Sequence, residues 1–401
     1  MLASERRRPE PLTVDRDPDL TGPPPPASGA WRPGDQTGSR KFLDVFVDAP
    51  LELEGGGRLG GDLGPISMAY ETWGELDEDA GNAVLVLHAL TGDSHAAGPV
   101  GPGHRTPGWW DGLIGPGRAI DTDRFFVIAP NVLGGCQGSL GPSSLHPDGA
   151  AWGSRFPWLT IRDQVSTEQA LLSALGITRL HAILGGSMGG MRALEWALIA
   201  PERVERLVLL ACGPAATAEQ IALCYAQSLA LTLDPAFRGG DYYDQADGEG
   251  PWKGMGAARR MGQITYRTRA ELRERFGRTH QARENPLAGG RFAVESYLDH
   301  QAEKLAHRFD ANTYLILCRA MDSHDVGRGR GSIREALGHI ETPTLVIGFD
   351  TDRLYPLDEQ ADIVEGIGAN ATLVRLESTL GHDAFLLEAE AIDPLVRSAL
   401  R

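Results

Sequence analysis

Short apolar runs that alternate with helical segments are the feature of this chain that most constrains its fold. Apolar runs of this length suit strands that are buried on both faces of a parallel sheet. Segments with helical spacing lie between them, and two of these end at Gly176 and Pro201. The alternation predicts an α/β fold with a doubly wound, mostly parallel sheet and helices on both faces. The predicted strands are residues 83–88, 125–130, 180–185, 206–212 and 344–349.

The pattern changes between residues 213 and 340, where the spacing is helical and no strand is convincing. Ligands of doubly wound sheets bind at the carboxyl ends of the strands, so we expect this insertion to form a helical lid there. A separate helical domain without a role at the site is the alternative. The predicted division is a core of residues 41–212 and 341–401, with a lid of residues 213–340.

Composition limits the class of protein and its partners. The 401 residues are 42% hydrophobic, enough for a large core, and the net charge of −16 disfavours binding to nucleic acid or to an anionic membrane surface. Residues 1–40 are rich in proline, arginine and aspartate and lack the apolar run of a signal peptide, which predicts a disordered arm or one that wraps a partner subunit. The spacing of the four cysteines matches neither a metal site nor a disulfide framework. No apolar segment is long enough to span a membrane, and we therefore expect a cytoplasmic protein.

One serine stands among glycines between a predicted strand and a predicted helix. Gly185, Ser187 and Gly189 form the pattern G-x-S-x-G. This pattern occurs by chance in a chain with 50 glycines, but a position between strand and helix is the context of a nucleophile elbow. Glycines on either side allow the strand and the helix to approach closely. We therefore predict that Ser187 is a nucleophile.

A nucleophilic serine needs a base, and the base needs a carboxylate that orients it. In a chain with a nucleophile elbow these residues follow in the order serine, aspartate, histidine. His382 comes after a further apparent strand at residues 372–377 and is the predicted base. Asp352, with Asp350 as the alternative, follows the strand at residues 344–349 and is the predicted acid. His324 is a less suitable base because it precedes the acid in the chain.

The tetrahedral intermediate of acyl transfer needs two N–H donors at its oxyanion. Met188 follows the nucleophile and is predicted to supply one of them, while Leu90, in the loop after the first predicted strand, is predicted to supply the other. His88, Asp93 and His95 in the same loop are possible metal ligands, but their spacing matches no metal-binding motif. No metal is predicted.

Six stretches follow one another along the chain: HALTGDSHAAG, NVLGGCQGSLGPSS, GGSMGGMRALEWA, ARRMGQITYR, FDTDRLYP and GHDAF. Taken together, they closely resemble the homoserine O-acetyltransferases of methionine biosynthesis, and the resemblance runs from about residue 42 to the C terminus. The resemblance implies an α/β-hydrolase fold with a helical lid and a homodimer formed through that lid. It also implies ping-pong transfer of acetyl from acetyl-CoA, as co-substrate, to the hydroxyl of L-homoserine, without a bound cofactor.

The same resemblance gives roles to individual residues. The triad and the two oxyanion donors keep the roles proposed above, and Arg259, Tyr266 and Asp383 match positions that hold homoserine. An arginine suits the carboxylate of an amino acid, and an aspartate suits its ammonium group. Without the resemblance, Arg259 would be interpreted as a solvated charge of the lid and Asp383 as a helix N-cap.

Three kinds of function remain open at this stage. The first is acetyl transfer to homoserine, or a related reaction that uses succinyl-CoA as donor or serine as acceptor, because one methylene changes binding by only about 1–3 kcal/mol. The second is a serine hydrolase or esterase that passes the acyl group to water with the same triad. The third is a non-enzymatic interaction module on the same fold, which the three triad residues argue against.

Overall fold

The computed structural model describes residues 22–56 and 62–401. Its strands in chain order are β1 (Lys41–Val45), β2 (Leu51–Glu52), β3 (Asp62–Leu63), β4 (Ile66–Trp73), β5 (Ala83–Leu87), β6 (Ile114–Gly115), β7 (Ile120–Asp121), β8 (Phe126–Pro130), β9 (Ala182–Gly186), β10 (Leu207–Leu210), β11 (Thr344–Phe349) and β12 (Ala371–Leu376). Eight of these form the central sheet, in the order β1-β4-β8-β5-β9-β10-β11-β12. The β1–β4 and β4–β8 pairs are antiparallel and the remaining neighbours are parallel. Two short pairs, β2 with β3 and β6 with β7, lie outside this sheet.

Helices cover both faces of the sheet. They are α1 (Ile161–Ala174), α2 (Met188–Ile199), α3 (Ala218–Thr232), α4 (Trp252–Tyr266), α5 (Arg269–Arg275), α6 (Ala293–Ala306), α7 (Ala311–Asp322), α8 (Ile333–Leu337), α9 (Leu357–Ile367), α10 (Ala384–Leu387) and α11 (Ala389–Ala399). Apolar side chains of α1, α2, α8 and α9 pack together in one core cluster, and those of α11 pack in a second cluster that also contains Trp110. None of the helices described is both long enough and apolar enough to cross a membrane.

The predicted doubly wound, mostly parallel sheet is confirmed. The five strands of the alternating pattern correspond to β5, β8, β9, β10 and β11, and the apparent strand at residues 372–377 corresponds to β12, each displaced by a few residues at most. The antiparallel strands β1 and β4 at one edge were not predicted. Strand β4 has the sequence ISMAYETW, in which Glu71 is fully buried, so its core-facing residues do not form an apolar run.

Helices α3 to α7 form the lid, and its two ends lie side by side. The Ala216 N–H donates to the His324 carbonyl oxygen at 2.9 Å, and the Val326 N–H donates to the Pro214 carbonyl oxygen at 3.0 Å. Beyond this closure, α8 packs against α9, and Leu337 is buried in the core cluster. The insertion therefore ends near residue 326, and the predicted boundary at 340 falls inside the core.

Part of the predicted disordered arm has a fixed place in the structure. The Ser28 hydroxyl donates to Asp310 Oδ1 at 2.7 Å, and the Trp31 N–H donates to the Cys136 carbonyl oxygen at 2.9 Å. A Cβ atom on Gly29 would lie 2.5 Å from the Arg308 backbone nitrogen, so this small residue allows the arm to lie directly on the lid. The prediction of disorder is therefore wrong for residues 22–40. Residues 1–21 lie outside the described residues, and disorder there stays a prediction.

Candidate active site

Ser187 lies in a sharp turn between β9 and α2. Its φ of 54° and ψ of −124° are unfavourable for a residue that carries a Cβ, as expected of a strained nucleophile elbow. The flanking glycines are needed because α2 begins directly against the sheet. A Cβ on Gly189 would lie 2.1 Å from the Leu87 carbonyl oxygen, and one on Gly185 would lie 2.2 Å from the Gly189 carbonyl oxygen.

The structure brings Ser187, His382 and Asp352 together at the carboxyl ends of the strands. The Ser187 hydroxyl lies 3.0 Å from His382 Nε2, and His382 Nδ1 lies 2.8 Å from Asp352 Oδ2. The other oxygen of Asp352 accepts hydrogen bonds from the Leu354 and Tyr355 N–H groups at 2.9 and 3.0 Å. A buried carboxylate thus fixes the imidazole so that Nε2 can take the serine proton.

The two competing residues lie elsewhere. Asp350 Oδ1 accepts a hydrogen bond from the Ser378 N–H at 3.0 Å. His324 belongs to the backbone pairing that closes the lid, and it is buried. Burial and the nearby Arg328 and Arg162 cations lower the pKa of His324 to about 3, so this ring is neutral. The order of residues along the chain therefore selected the aspartate and the histidine that meet at Ser187.

Three aromatic rings surround His382. The ring centroids of Tyr355, Phe385 and Tyr266 lie 5.2, 5.3 and 5.9 Å from that of the imidazole. Their packing restricts the orientation of His382 and limits the access of water to it. Sequence reasoning missed Tyr355 and Phe385, although both stand in the stretches that supplied the acid and the base.

Both predicted oxyanion donors border the serine. Met188 is the first residue of α2, so its N–H has no acceptor one turn earlier in the helix. Leu90 lines the same cavity as Ser187 and His382, together with its neighbours Ala89 and Thr91. The two N–H groups come from the two segments that an oxyanion hole of this fold uses.

Arg259 and Tyr266, both on α4, line this cavity with the serine. The Arg259 guanidinium lies 5.6 Å from the centre of the Tyr266 ring, and its Nε atom is buried without a hydrogen-bond partner. Among the described residues, no carboxylate forms an ion pair with Arg259. Burial raises the pKa of the Tyr266 hydroxyl, which keeps it protonated. A half-buried cation without a partner is suited to an anionic ligand, and it does not fit a solvated charge on the lid.

Asp383 also lines the cavity, but it already has a cationic neighbour. Arg267 Nε lies 3.0 Å from Asp383 Oδ2 and forms an ion pair with it, but the N–H does not point at the oxygen as a hydrogen bond requires. Gln263 Nε2 donates to the same oxygen at 3.4 Å. Asp383 stands at the N-cap position of α10, but its side chain makes no capping hydrogen bond there. Sequence reasoning missed Arg267, whose only signal was its place directly after Tyr266. One oxygen of Asp383 remains available for an ammonium group.

Glu71, His95 and His104 form a buried group whose potential ligand atoms lie within 4.8 Å of one another. His95 Nδ1 lies 2.9 Å from Glu71 Oε2, and His104 Nε2 accepts a hydrogen bond from the Ser39 N–H at 3.1 Å. The imidazole rings stack with centroids 3.7 Å apart and planes 11° apart, and the two nitrogens named above already have protein partners. We interpret the group as a hydrogen-bonded network. The absence of a metal stays a prediction.

Comparison with known proteins identifies the family. Residues 82–389 match the α/β hydrolase fold family. The homoserine O-acetyltransferase of Thermobifida fusca (strain YX) is 58% identical over 381 residues, which cover 95% of this chain and 98% of that protein. The chain belongs to the homoserine O-acetyltransferase family. The predicted α/β-hydrolase fold and the resemblance seen in the sequence are both confirmed.

Other members of the homoserine O-acetyltransferase family give the same result. The homoserine O-acetyltransferase of Leifsonia xyli is 54% identical over 391 residues, covering 96% of this chain and 95% of that protein. The crystal structure of the Bacillus anthracis homoserine O-acetyltransferase has a TM-score of 0.81 and 28% identity, covering 90% of this chain and 97% of that one.

An esterase has almost the same likeness in shape. The crystal structure of esterase E22 has a TM-score of 0.80 and 29% identity, covering 90% of this chain and 99% of that one. Shape alone therefore does not distinguish acyl transfer from ester hydrolysis.

Proposed function

We propose that the protein transfers acetyl from acetyl-CoA to the hydroxyl of L-homoserine through an acetylated Ser187, giving O-acetyl-L-homoserine for methionine biosynthesis. The observation that carries this proposal is the unpaired Arg259 guanidinium in the same cavity as Ser187 and His382. A hydrolase that uses water as acceptor has no need of a cation placed for a carboxylate. The names of the most similar relatives support the same acceptor.

In the first half-reaction, Ser187 Oγ attacks the thioester carbonyl carbon of acetyl-CoA while His382 Nε2 takes its proton. The negative charge that develops on the carbonyl oxygen receives hydrogen bonds from the N–H groups of Met188 and Leu90. The carbon–sulfur bond then breaks, and His382 gives the proton to the departing thiolate. Coenzyme A leaves, and the acetyl group remains on Ser187.

In the second half-reaction, homoserine enters with its carboxylate at Arg259 and its ammonium group at the available oxygen of Asp383, beside the Tyr266 hydroxyl. These contacts place the homoserine hydroxyl at the acetyl group on Ser187. His382 takes the hydroxyl proton as the new ester forms, and returns it to Ser187 Oγ as that oxygen leaves. The serine itself carries the acetyl group, so the proposed reaction uses acetyl-CoA as co-substrate and requires no bound cofactor.

The second candidate is ester hydrolysis, which the likeness to esterase E22 favours. Mixing the protein with acetyl-CoA alone distinguishes the two. We expect a burst of free thiol close to one equivalent per active site, followed by a much slower phase, because the acetyl-enzyme waits for its acceptor. Added L-homoserine is expected to restore steady turnover, and mass spectrometry of the stalled enzyme should show acetyl on the Ser187 peptide.

Two results of this experiment would contradict the proposal. Steady thiol release that homoserine does not accelerate would identify a hydrolase. Thiol release only in the presence of homoserine, with no trapped acetyl-enzyme, would indicate direct transfer in a ternary complex. Parallel reactions with succinyl-CoA and with L-serine determine whether the acetyl group and homoserine are the preferred donor and acceptor.

We also propose that the lid forms a homodimer. Helix α3 exposes apolar side chains at intervals of four residues, so they lie along one face of the helix. Their exposed fractions range from 38% to 70%, and two exposed residues of the adjacent helix α4 extend the apolar surface. Clusters of exposed apolar side chains are typical of surfaces that contact another protein. The residues are Ile221, Tyr225 and Leu229 on α3, Leu233 directly after it, and Met261 and Ile264 on α4.

Replacing Tyr225 and Leu229 together by glutamate is expected to convert the dimer to a monomer, because the two charges would be buried without partners at the interface. Sedimentation velocity at micromolar concentration measures the change. Leu287→Glu is the matched control, because Leu287 is 96% exposed and lies outside the apolar surface of α3 and α4. A monomeric wild type, or a double variant that remains dimeric, would contradict a dimer formed through this surface.

The remaining proposals concern location and partners. The four cysteines are free and buried, which fits a reducing compartment, and we propose a cytoplasmic location for this biosynthetic activity. The net charge of −16 supports the absence of nucleic acid and membrane partners. The proposed partners are therefore acetyl-CoA, L-homoserine and a second copy of the chain.

A further inference from the structure

A buried ion pair lies beneath the loop that carries Leu90. Arg192 on α2 and Glu168 on α1 are both fully buried, and Arg192 Nη1 donates to Glu168 Oε1 at 2.5 Å. Glu168 Oε2 accepts a second hydrogen bond, from Trp196 Nε1, at 2.8 Å. A buried ion pair is often no more stable than apolar residues of similar volume, so stability alone gives little reason for this pair.

The second terminal nitrogen of Arg192 points to another function. Arg192 Nη2 donates to the carbonyl oxygen of His88, the first residue after β5. The His88 side chain is fixed in turn: its Nε2 accepts from the Val132 N–H at 3.1 Å, and its Nδ1 donates to the Ala89 carbonyl oxygen at 2.8 Å. Burial and the Arg192 charge lower the pKa of His88 to about 3, so the neutral ring keeps this one arrangement of donor and acceptor.

The Ala89 carbonyl determines the direction of the Leu90 N–H. These two groups belong to one planar trans peptide, in which the C=O and the N–H point in opposite directions. Besides His88 Nδ1, the Gly92 N–H also holds the Ala89 carbonyl oxygen, at 2.9 Å. On the far side of Leu90, Arg308 from the lid donates to the Thr91 carbonyl oxygen at 2.7 Å. The carbonyl oxygens of Ala89 and Thr91, on either side of Leu90, therefore both accept hydrogen bonds from other groups of the protein.

We propose that Arg192 is a positioning residue for the oxyanion hole: Glu168 anchors it, and it holds the His88 carbonyl so that the next peptide presents the Leu90 N–H to the oxyanion. Ser187 directly precedes α2, and the helix then carries both the Met188 donor and the residue that fixes the second donor. The inference rests on the proposed function in one respect, the role of Leu90 as an oxyanion donor.

A residue that acts through the oxyanion hole affects the transition state more than the bound substrate. We expect Arg192→Met to slow acylation of Ser187 by about 10-fold to 100-fold, which is less than the roughly 10²–10³ lost when a donor is removed outright. The KM for the acyl donor should change by less than about threefold. The pH midpoint of acylation should stay where it is, because His382 and Asp352 are untouched.

The test measures the acylation rate of Arg192→Met, Arg192→Lys and Glu168→Gln by stopped flow, with acetyl-CoA and with p-nitrophenyl acetate. Affinity for a small alkylboronic acid, which forms a tetrahedral adduct with the serine, should fall by the same factor as acylation in each variant. Arg203→Met is the matched control, since Arg203 also donates to backbone carbonyls, those of Ile177 and Thr178, but after the far end of α2.

Circular dichroism and thermal unfolding establish that each variant is folded. If Arg192→Met does not fold, Arg192→Lys and Glu168→Gln carry the test, with smaller losses in the same direction. Folded variants of both residues that acylate and bind boronate like the wild type would overturn the inference, as would slower acylation with unchanged boronate affinity. A wild type that p-nitrophenyl acetate acylates but acetyl-CoA does not would instead disprove the proposed function, and the ester reaction would still test Arg192.

Discussion

Ser187→Ala is expected to lower kcat for acetyl transfer by about 10⁶-fold, the loss typical of a triad nucleophile, while the protein remains folded. The reason is that the Ser187 hydroxyl is the group that His382 Nε2 contacts at 3.0 Å, and alanine leaves no atom to carry the acetyl group. Steady-state transfer from acetyl-CoA to homoserine measures the loss, and thermal unfolding monitors the fold.

Ser173→Ala is the control for this experiment. Ser173 is exposed on α1 and its hydroxyl bonds only within that helix and to Arg203. We expect this variant to keep wild-type kcat and the thiol burst. If a preparation of Ser187→Ala that contains no wild-type enzyme retained more than about a thousandth of wild-type kcat, a covalent mechanism through this serine would be excluded.

Arg259→Ala is expected to separate the two half-reactions. The variant should keep the thiol burst with acetyl-CoA, because acylation involves the triad and the oxyanion donors but not Arg259. Its kcat/KM for homoserine should fall by roughly 30-fold to several thousand-fold, since removing one member of a charge pair typically costs about 2–5 kcal/mol. Arg259→Lys should recover little, because an ammonium lacks the planar fork that meets a carboxylate with two hydrogen bonds.

Stopped-flow acylation and steady-state transfer, measured side by side, give both numbers. Arg260→Ala is a close control: this neighbouring arginine is paired with Asp299 at 2.8 Å and lines a different cavity of the lid. It should leave both half-reactions unchanged. An Arg259→Ala enzyme with near wild-type kcat/KM for homoserine would remove the main physical support for an amino-acid acceptor.

The residues that sequence analysis located best are those whose chemistry demands a particular local structure. An elbow serine requires glycines at fixed positions between a strand and a helix, so Ser187 could be predicted with its surroundings. The acid and the base then followed from chain order, and the structure places Asp352 and His382 in contact across 30 positions of sequence. The break between α6 and α7 was not predicted, although Asp310 accepts from the Thr313 N–H as the cap of α7 and aspartate is a residue type that favours a helix start.

Contacts between distant segments could not be predicted in this way. Arg267 lies beside Asp383 because the end of α4 packs against the turn that contains His382. No spacing in the sequence specifies that these two segments come into contact. The ordered conformation of residues 22–40 likewise depends on contacts with distant residues, since Ser28 and Asp310, which are hydrogen-bonded, are 282 positions apart. The arm is held by hydrogen bonds and small residues, while composition reports only that it lacks apolar side chains.

The adjacent ends of the lid have a consequence for how this architecture diversifies. The whole segment enters and leaves the core at one place, where residues 214–216 pair with residues 324–326, so it can be lengthened, shortened or exchanged without rerouting a strand. Ser187, Asp352 and His382 lie outside the segment, whereas Arg259 and Tyr266 lie within it. Recombination at this single junction can therefore alter which molecule receives the acyl group and leave the machinery that loads the serine intact.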